Sequence, residues 1–184
     1  MNPWNLPETA EIGGTVYKLH TDYRDILEII KYLNDPDRPE YLRWQIAIAL
    51  FYEGDIPPEH QLEAMEYLAS FIACGETDTK PGPVLLDWEQ DVLTIVADVN
   101  KVAGTEIRSL PHLHWWTFLS YFRAIDEGQL STLITVRSKL RHGKKLEKWE
   151  QEYYRVNKKQ VDMKKKYSAE ELAEQERIKK LLGE

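Results

Sequence analysis

Apolar residues recur at three-and-four spacing along most of this chain, and nearly every such run is closed by a glycine or a proline. One face of an α-helix repeats every 3.6 residues, so the pattern commits the chain to a set of short helices joined by tight turns. Asp22 is placed to cap a first helix with Tyr23, Ile26, Leu27, Ile30 and Leu33 on one face, and Pro36 and Pro39 end it. Residues 41–53 give a second helix that is apolar on nearly all sides and is expected at the centre of the core. Gly54 stops it. Pro57-Pro58 then opens a third along Leu62, Met65, Leu68, Ala69 and Ile72, with Gly75 suited to the left-handed position past its end.

Residues 76–84, with Pro81, Gly82 and Pro83, read as a surface loop. Asp87 begins a fourth helix, with Gln90 three residues on as a variant of the capping box. Its expected buried line is Trp88, Val92, Ile95, Val99 and Val102, closed at Gly104. A fifth helix spans about residues 113–125 and a sixth about 131–140, with Gly128 at the bend. Trp115, Trp116, Phe118, Leu119 and Phe122 of the fifth read mostly as core. Strands are plausible only at residues 9–12 and 15–19, around the hairpin signal Gly13-Gly14. The expected fold is mainly α: a compact helical body over residues 1–140 with a small N-terminal β-hairpin, and a helical C-terminal arm over residues 141–184.

The arm differs in kind. Leu146, Trp149, Tyr153, Val156, Gln160, Met163 and Tyr167 step alternately by three and four, a heptad seam. Gln160 is polar and the aromatics fit a tight two-stranded zipper badly, so the helix is expected to lie against its own body or a partner. Ser168 with Glu171 makes a further capping box ahead of Leu172, Ile178, Leu181 and Leu182. Residues 1–140 hold 11 Lys/Arg against 22 Asp/Glu, whereas residues 141–184 hold 13 against 9. An acidic body thus carries a basic arm. Basic residues beside Trp149, Tyr153 and Tyr154 raise nucleic-acid binding, but the aromatics fall mainly on the seam and the acidic body repels a duplex. A solvated face on a partner-binding helix is the better reading.

Catalytic and metal-binding patterns are thin. His112 and His114 flank Leu113 and have at most Cys74 to join them as ligands, so capping a helix start suits them better. Asp87, Asp91 and Asp98 share one helical face, but no nucleophile, phosphate loop or histidine accompanies them. They read as first-turn acids and solvated charge. Cys74 reads as a small buried group at a helix end. No cofactor is expected, and the chain is read as a non-enzyme. It has no run of 18 or more apolar residues, so no membrane contact is expected.

Five segments in order resemble a known family: Pro7-Glu8 through Ile12-Gly13-Gly14 to Thr21-Asp22-Tyr23-Arg24; Leu33-Asn34-Asp35-Pro36-Asp37; Leu50-Phe51-Tyr52 followed by Pro57-Pro58; Asp87-Trp88-Glu89-Gln90-Asp91; and Leu113-His114-Trp115-Trp116-Thr117-Phe118. The resemblance, over about residues 5–165, is to small proteins encoded among the tail-morphogenesis genes of siphophages and Gram-positive prophages. It implies a tail assembly chaperone. Such a protein coats the aggregation-prone tape measure protein while tail-tube subunits polymerise around it in the host cytoplasm, and is absent from the finished tail. It implies no catalytic residue. Coating a long client implies self-association, and Leu146, Trp149, Tyr153, Val156, Met163 and Tyr167 are the expected partner-binding residues. A structural virion protein, for example at a head–tail joint, is the alternative.

Overall fold

The computed structural model describes residues 4–76 and 83–164, together with the single positions 171, 173, 174 and 177. The chain begins with an antiparallel hairpin, β1 (Thr9–Ile12) and β2 (Thr15–Lys18), turned by Gly13 and Gly14 at φ +55° and +76°. Seven α-helices follow among the described residues: α1 (Tyr23–Leu33), α2 (Glu40–Phe51), α3 (Gln61–Ile72), α4 (Val92–Ala103), α5 (Trp115–Arg123), α6 (Gln129–Arg141) and α7 (Lys148–Val161). The fold is mainly α with one N-terminal hairpin. Short 3₁₀ turns precede α3 and α5.

Two backbone joints hold the hairpin and α1 in place. His20 N–H donates to the Phe51 carbonyl and Glu53 N–H to the Lys18 carbonyl, so the chain leaving β2 pairs with the end of α2. Tyr23 N–H donates to the Leu113 carbonyl and Trp115 N–H to the Thr21 carbonyl, which ties the start of α1 to the start of α5. Asp22 caps α1 through the Arg24 N–H, and its second oxygen accepts from Leu113 N–H at 2.9 Å. His114 caps α5, its Nδ1 accepting from Trp116 N–H.

The core gathers around aromatic side chains: Phe51, Phe71, Trp115 and Phe118 are all essentially inaccessible. Tyr23 stacks on Phe118 at 4.7 Å between ring centroids, and Phe51 meets Phe71 at 4.9 Å. The last carbonyls of a helix lack intrahelical partners. Here Trp115 and Trp116 supply them for α3, donating through Nε1 to the carbonyls of Ile72 and Phe71. The expected core roles of Trp115, Trp116, Phe118 and Leu119 therefore hold, and two of these residues also finish a neighbouring helix.

Several expectations are corrected. Residues 88–91 form a turn and α4 starts only at Val92; Asp87 Oδ1 accepts from the N–H groups of Glu89 and Gln90, so it caps this turn rather than α4 itself. Val92 and Val102 are exposed, leaving Ile95, Val96 and Val99 as the apolar inward residues of α4. α2 buries Ala47, Ile48 and Phe51 but exposes Tyr41 and Leu50, so it lies at the edge of the core. On α3, Leu62 and Ala69 face outward, and Ala64, Leu68 and Phe71 face in. Most of the expected surface loop at 76–84, and the expected cap at Ser168, lie outside the described residues.

Candidate functional site

The strongest polar cluster lies beneath the arm. Arg137 of α6 is 3 % exposed in its side chain and Asp91 is 0 %, and they form a two-point pair, Nη1 to Oδ2 at 2.6 Å and Nη2 to Oδ1 at 2.9 Å. The remaining donors reach backbone carbonyls: Nη1 to Leu85, Nη2 to Gln160 and Nε to Val161. All five guanidinium N–H donors are thereby used. One buried side chain thus fastens the turn before α4 to the end of α7.

Gln90 repeats this device from the same turn. Its amide donates to the carbonyls of Gln160 and Asp162, and its oxygen accepts from Lys164 N–H, each at 3.0 Å. It does not reach back to cap α4. Asp98, near the middle of α4, is 2 % exposed and accepts from Leu130 N–H at 2.8 Å and from Lys101 Nζ at 3.0 Å. It supplies a carboxylate to the start of α6, where Gly128 offers no side chain of its own, and a negative charge suits that helix end. Asp91 and Asp98 are thus buried structural anchors, contrary to the expectation of solvated acids.

The seam shifts by one position. Glu150, Tyr153, Tyr154, Asn157 and Val161 turn toward the body, packing beside Leu133 and Val136 of α6. Trp149 and Val156 stand 54 % and 69 % exposed. Leu146 is half-buried before α7 begins, Tyr153 is half-buried within it, Met163 is half-buried beyond its end, and Tyr167 lies outside the described residues. The apolar heptad misleads because Glu150, 1 % exposed, takes a core position. Its carboxylate accepts from Lys139 Nζ at 2.6 Å and from Glu147 N–H at 2.8 Å. Its carboxyl is held below the usual range, first by the Lys139 hydrogen bond and then by the Glu147 N–H. Asn157 departs from helical geometry, at φ −107° and ψ 23°, and kinks the seam further.

A groove of about 810 Å³ opens between α1 and the turn leading into α4. Leu27 and Ile30 line one side, Leu86, Trp88 and Val92 the other, and Phe118 lies between. Met163 and Lys164, which Gln90 holds in place, line it too, so the arm contributes to this groove. Charges sit at its margin. Lys31 lies 3.2 Å from Glu89, and Arg108 pairs with Glu106, whose carboxyl falls to about 2, chiefly through the Arg108 side-chain hydrogen bond. The groove is thus walled mainly by apolar side chains, with charged ones among its lining.

The remaining candidates have structural posts. His114 Nε2 lies 3.3 Å from the Pro7 carbonyl, and His112 Nε2 lies 3.2 Å from Thr21 Oγ1, so the two rings serve different partners. Because Trp116 N–H must donate to Nδ1 of His114, the ring carries its proton on Nε2. Cys74 sits at φ +55° beyond α3, and burial pushes its thiol up to about 11. Among the described residues no helix is long and apolar enough to cross a membrane.

A family model described as Bacteriophage Gp15 protein matches residues 4–168, and the chain belongs to that phage protein family. No curated protein and no solved structure matches it.

Proposed function

We propose that this phage protein is a non-catalytic tail assembly chaperone that binds the tape measure protein and masks its apolar surface while the tail forms. The observation that carries the reading is the groove between α1 and the turn before α4, with walls of Leu27, Ile30, Leu86, Trp88 and Val92. An amphipathic helix laid into an apolar groove is a common recognition mode, and a tape measure protein is a long helical chain rich in such segments. The resemblance of the five segments to tail-gene proteins supports the same role. On this reading the protein works in the bacterial cytoplasm, leaves before the virion is complete, and needs neither cofactor nor catalytic residue.

The test is co-expression with the tape measure protein of the same genome. A recovered complex and a gain in client solubility are expected. Equal client solubility with and without this chain, and no complex, would remove the proposal. A structural role at a head–tail joint differs in one respect: the protein would then be present in stoichiometric amount in purified particles, as mass spectrometry reads directly.

A further inference from the structure

Charge is segregated between two helices that pack on different parts of the molecule. Between Arg43 and Lys80 the sequence holds seven acids, Glu53, Asp55, Glu59, Glu63, Glu66, Glu76 and Asp78, and no lysine or arginine. Three of them stand on one exposed face of α3 and the turn before it: Glu59, Glu63 and Glu66, around the exposed Leu62. Residues 141–164 reverse the sign, with eight Lys/Arg against Glu147, Glu150, Glu152 and Asp162. Glu150 is already buried on Lys139. The outward face of α7 carries Lys148, Arg155 and Lys159 around Trp149 and Val156, with one acid among them, Glu152, which pairs with Arg155 at 2.6 Å. α3 packs on α2 and β1, whereas α7 packs on α6.

We infer that these two faces meet between copies: α7 of one molecule docks on α3 of the next. Each face sets exposed apolar side chains among charges of one predominant sign, and the signs are opposite. The attraction steers the encounter, and burial of Trp149 and Val156 against Leu62 holds it. Because the two faces differ, the contact is head-to-tail, and repeating it gives a ring or an open filament of copies rather than a closed two-fold dimer. The inference goes beyond the proposed client contact and does not depend on it, since the groove lies on neither face.

The experiment is sedimentation velocity of the full chain over a concentration series, at about 50 mM and about 500 mM salt, after nuclease treatment. Association beyond the monomer at low salt, weakening at high salt, is expected. Two variants separate the faces: Lys148→Glu with Lys159→Glu, and Glu59→Lys with Glu66→Lys. Glu63 is left untouched because it accepts a hydrogen bond from Gly13 N–H. Each variant alone is expected to lose association about tenfold or more, and an equimolar mixture to regain it, since the reversed α7 then meets the reversed α3. That recovery cannot arise from misfolding. A monomer at every concentration, association unchanged in either single variant, no recovery in the mixture, or association abolished by the nuclease would each overturn the inference.

Discussion

Arg137 and Asp91 face each other through hydrogen bonds of 2.6 and 2.9 Å, at side-chain exposures of 3 % and 0 %, so neither can lose its partner and find water instead. Removing one member of such a pair strands the other charge, at a cost of about 3–5 kcal/mol. Arg137→Met is therefore expected to lower unfolding free energy by that amount in urea denaturation. The double variant Arg137→Met with Asp91→Asn should regain only part of it, because the carbonyls of Leu85 and Val161 still lack the Arg137 donor and that of Gln160 keeps only the Gln90 amide. A full recovery would show that those carbonyl contacts add nothing.

Gly128 offers a second measure of how tightly the helices fit. A Cβ there would lie 2.6 Å from Asp98 Cγ, and Asp98 is held by Leu130 N–H and Lys101. At φ −178° the backbone itself accepts any residue, so the penalty is purely steric. Gly128→Ala should cost about 1–3 kcal/mol in the same assay. A neutral result would mean that α4 and α6 part without resistance.

The His114 ring gives the fold a mild acid sensitivity. Burial, its largest influence, lowers the pKa from the ordinary value, and the folded ring uses Nδ1 to accept from Trp116 N–H. Protonation abolishes that acceptor. The unfolded state takes up the proton first, so this contribution is complete above the ordinary histidine pKa, about 6.5, and shrinks as pH falls below it. Thermal midpoints between pH 7.5 and pH 5.5 should fall for the wild type and fall less for His114→Asn, which keeps a capping oxygen. Equal slopes would assign the acid sensitivity elsewhere.

Val92 separates groove from fold. It is exposed, lines the groove and occupies the first turn of α4, where a carboxylate is compatible with the helix dipole. Val92→Asp should leave the melting temperature within a few degrees and sharply reduce recovery of the tape measure protein in co-expression. Undiminished recovery would move the client to another surface.

How much of this was legible in the sequence depended on whether local spacing decided the outcome. Asp22 as a cap, the turn at Gly13-Gly14 and the core aromatics of α5 follow from neighbours within a few residues. The inward stripe of α7 did not, because Glu150 occupies a core position only by virtue of Lys139, eleven residues earlier and on another helix. Asp91 and Asp98 looked like solvated acids for the same reason: Arg137 and Leu130 N–H lie 46 and 32 positions away. The groove joins residues from Tyr23 to Lys164, a juxtaposition no periodicity carries.

Arg137 and Gln90 hold the end of α7 and the residues just past it by their carbonyls and one N–H, groups that every residue type other than proline presents alike. Attachment is accordingly blind to the letters written outside it. Residues such as Lys158, Lys159 and Lys164 are therefore open to replacement without loosening the joint, which depends on the course of the backbone rather than on the side chains that stand outside it.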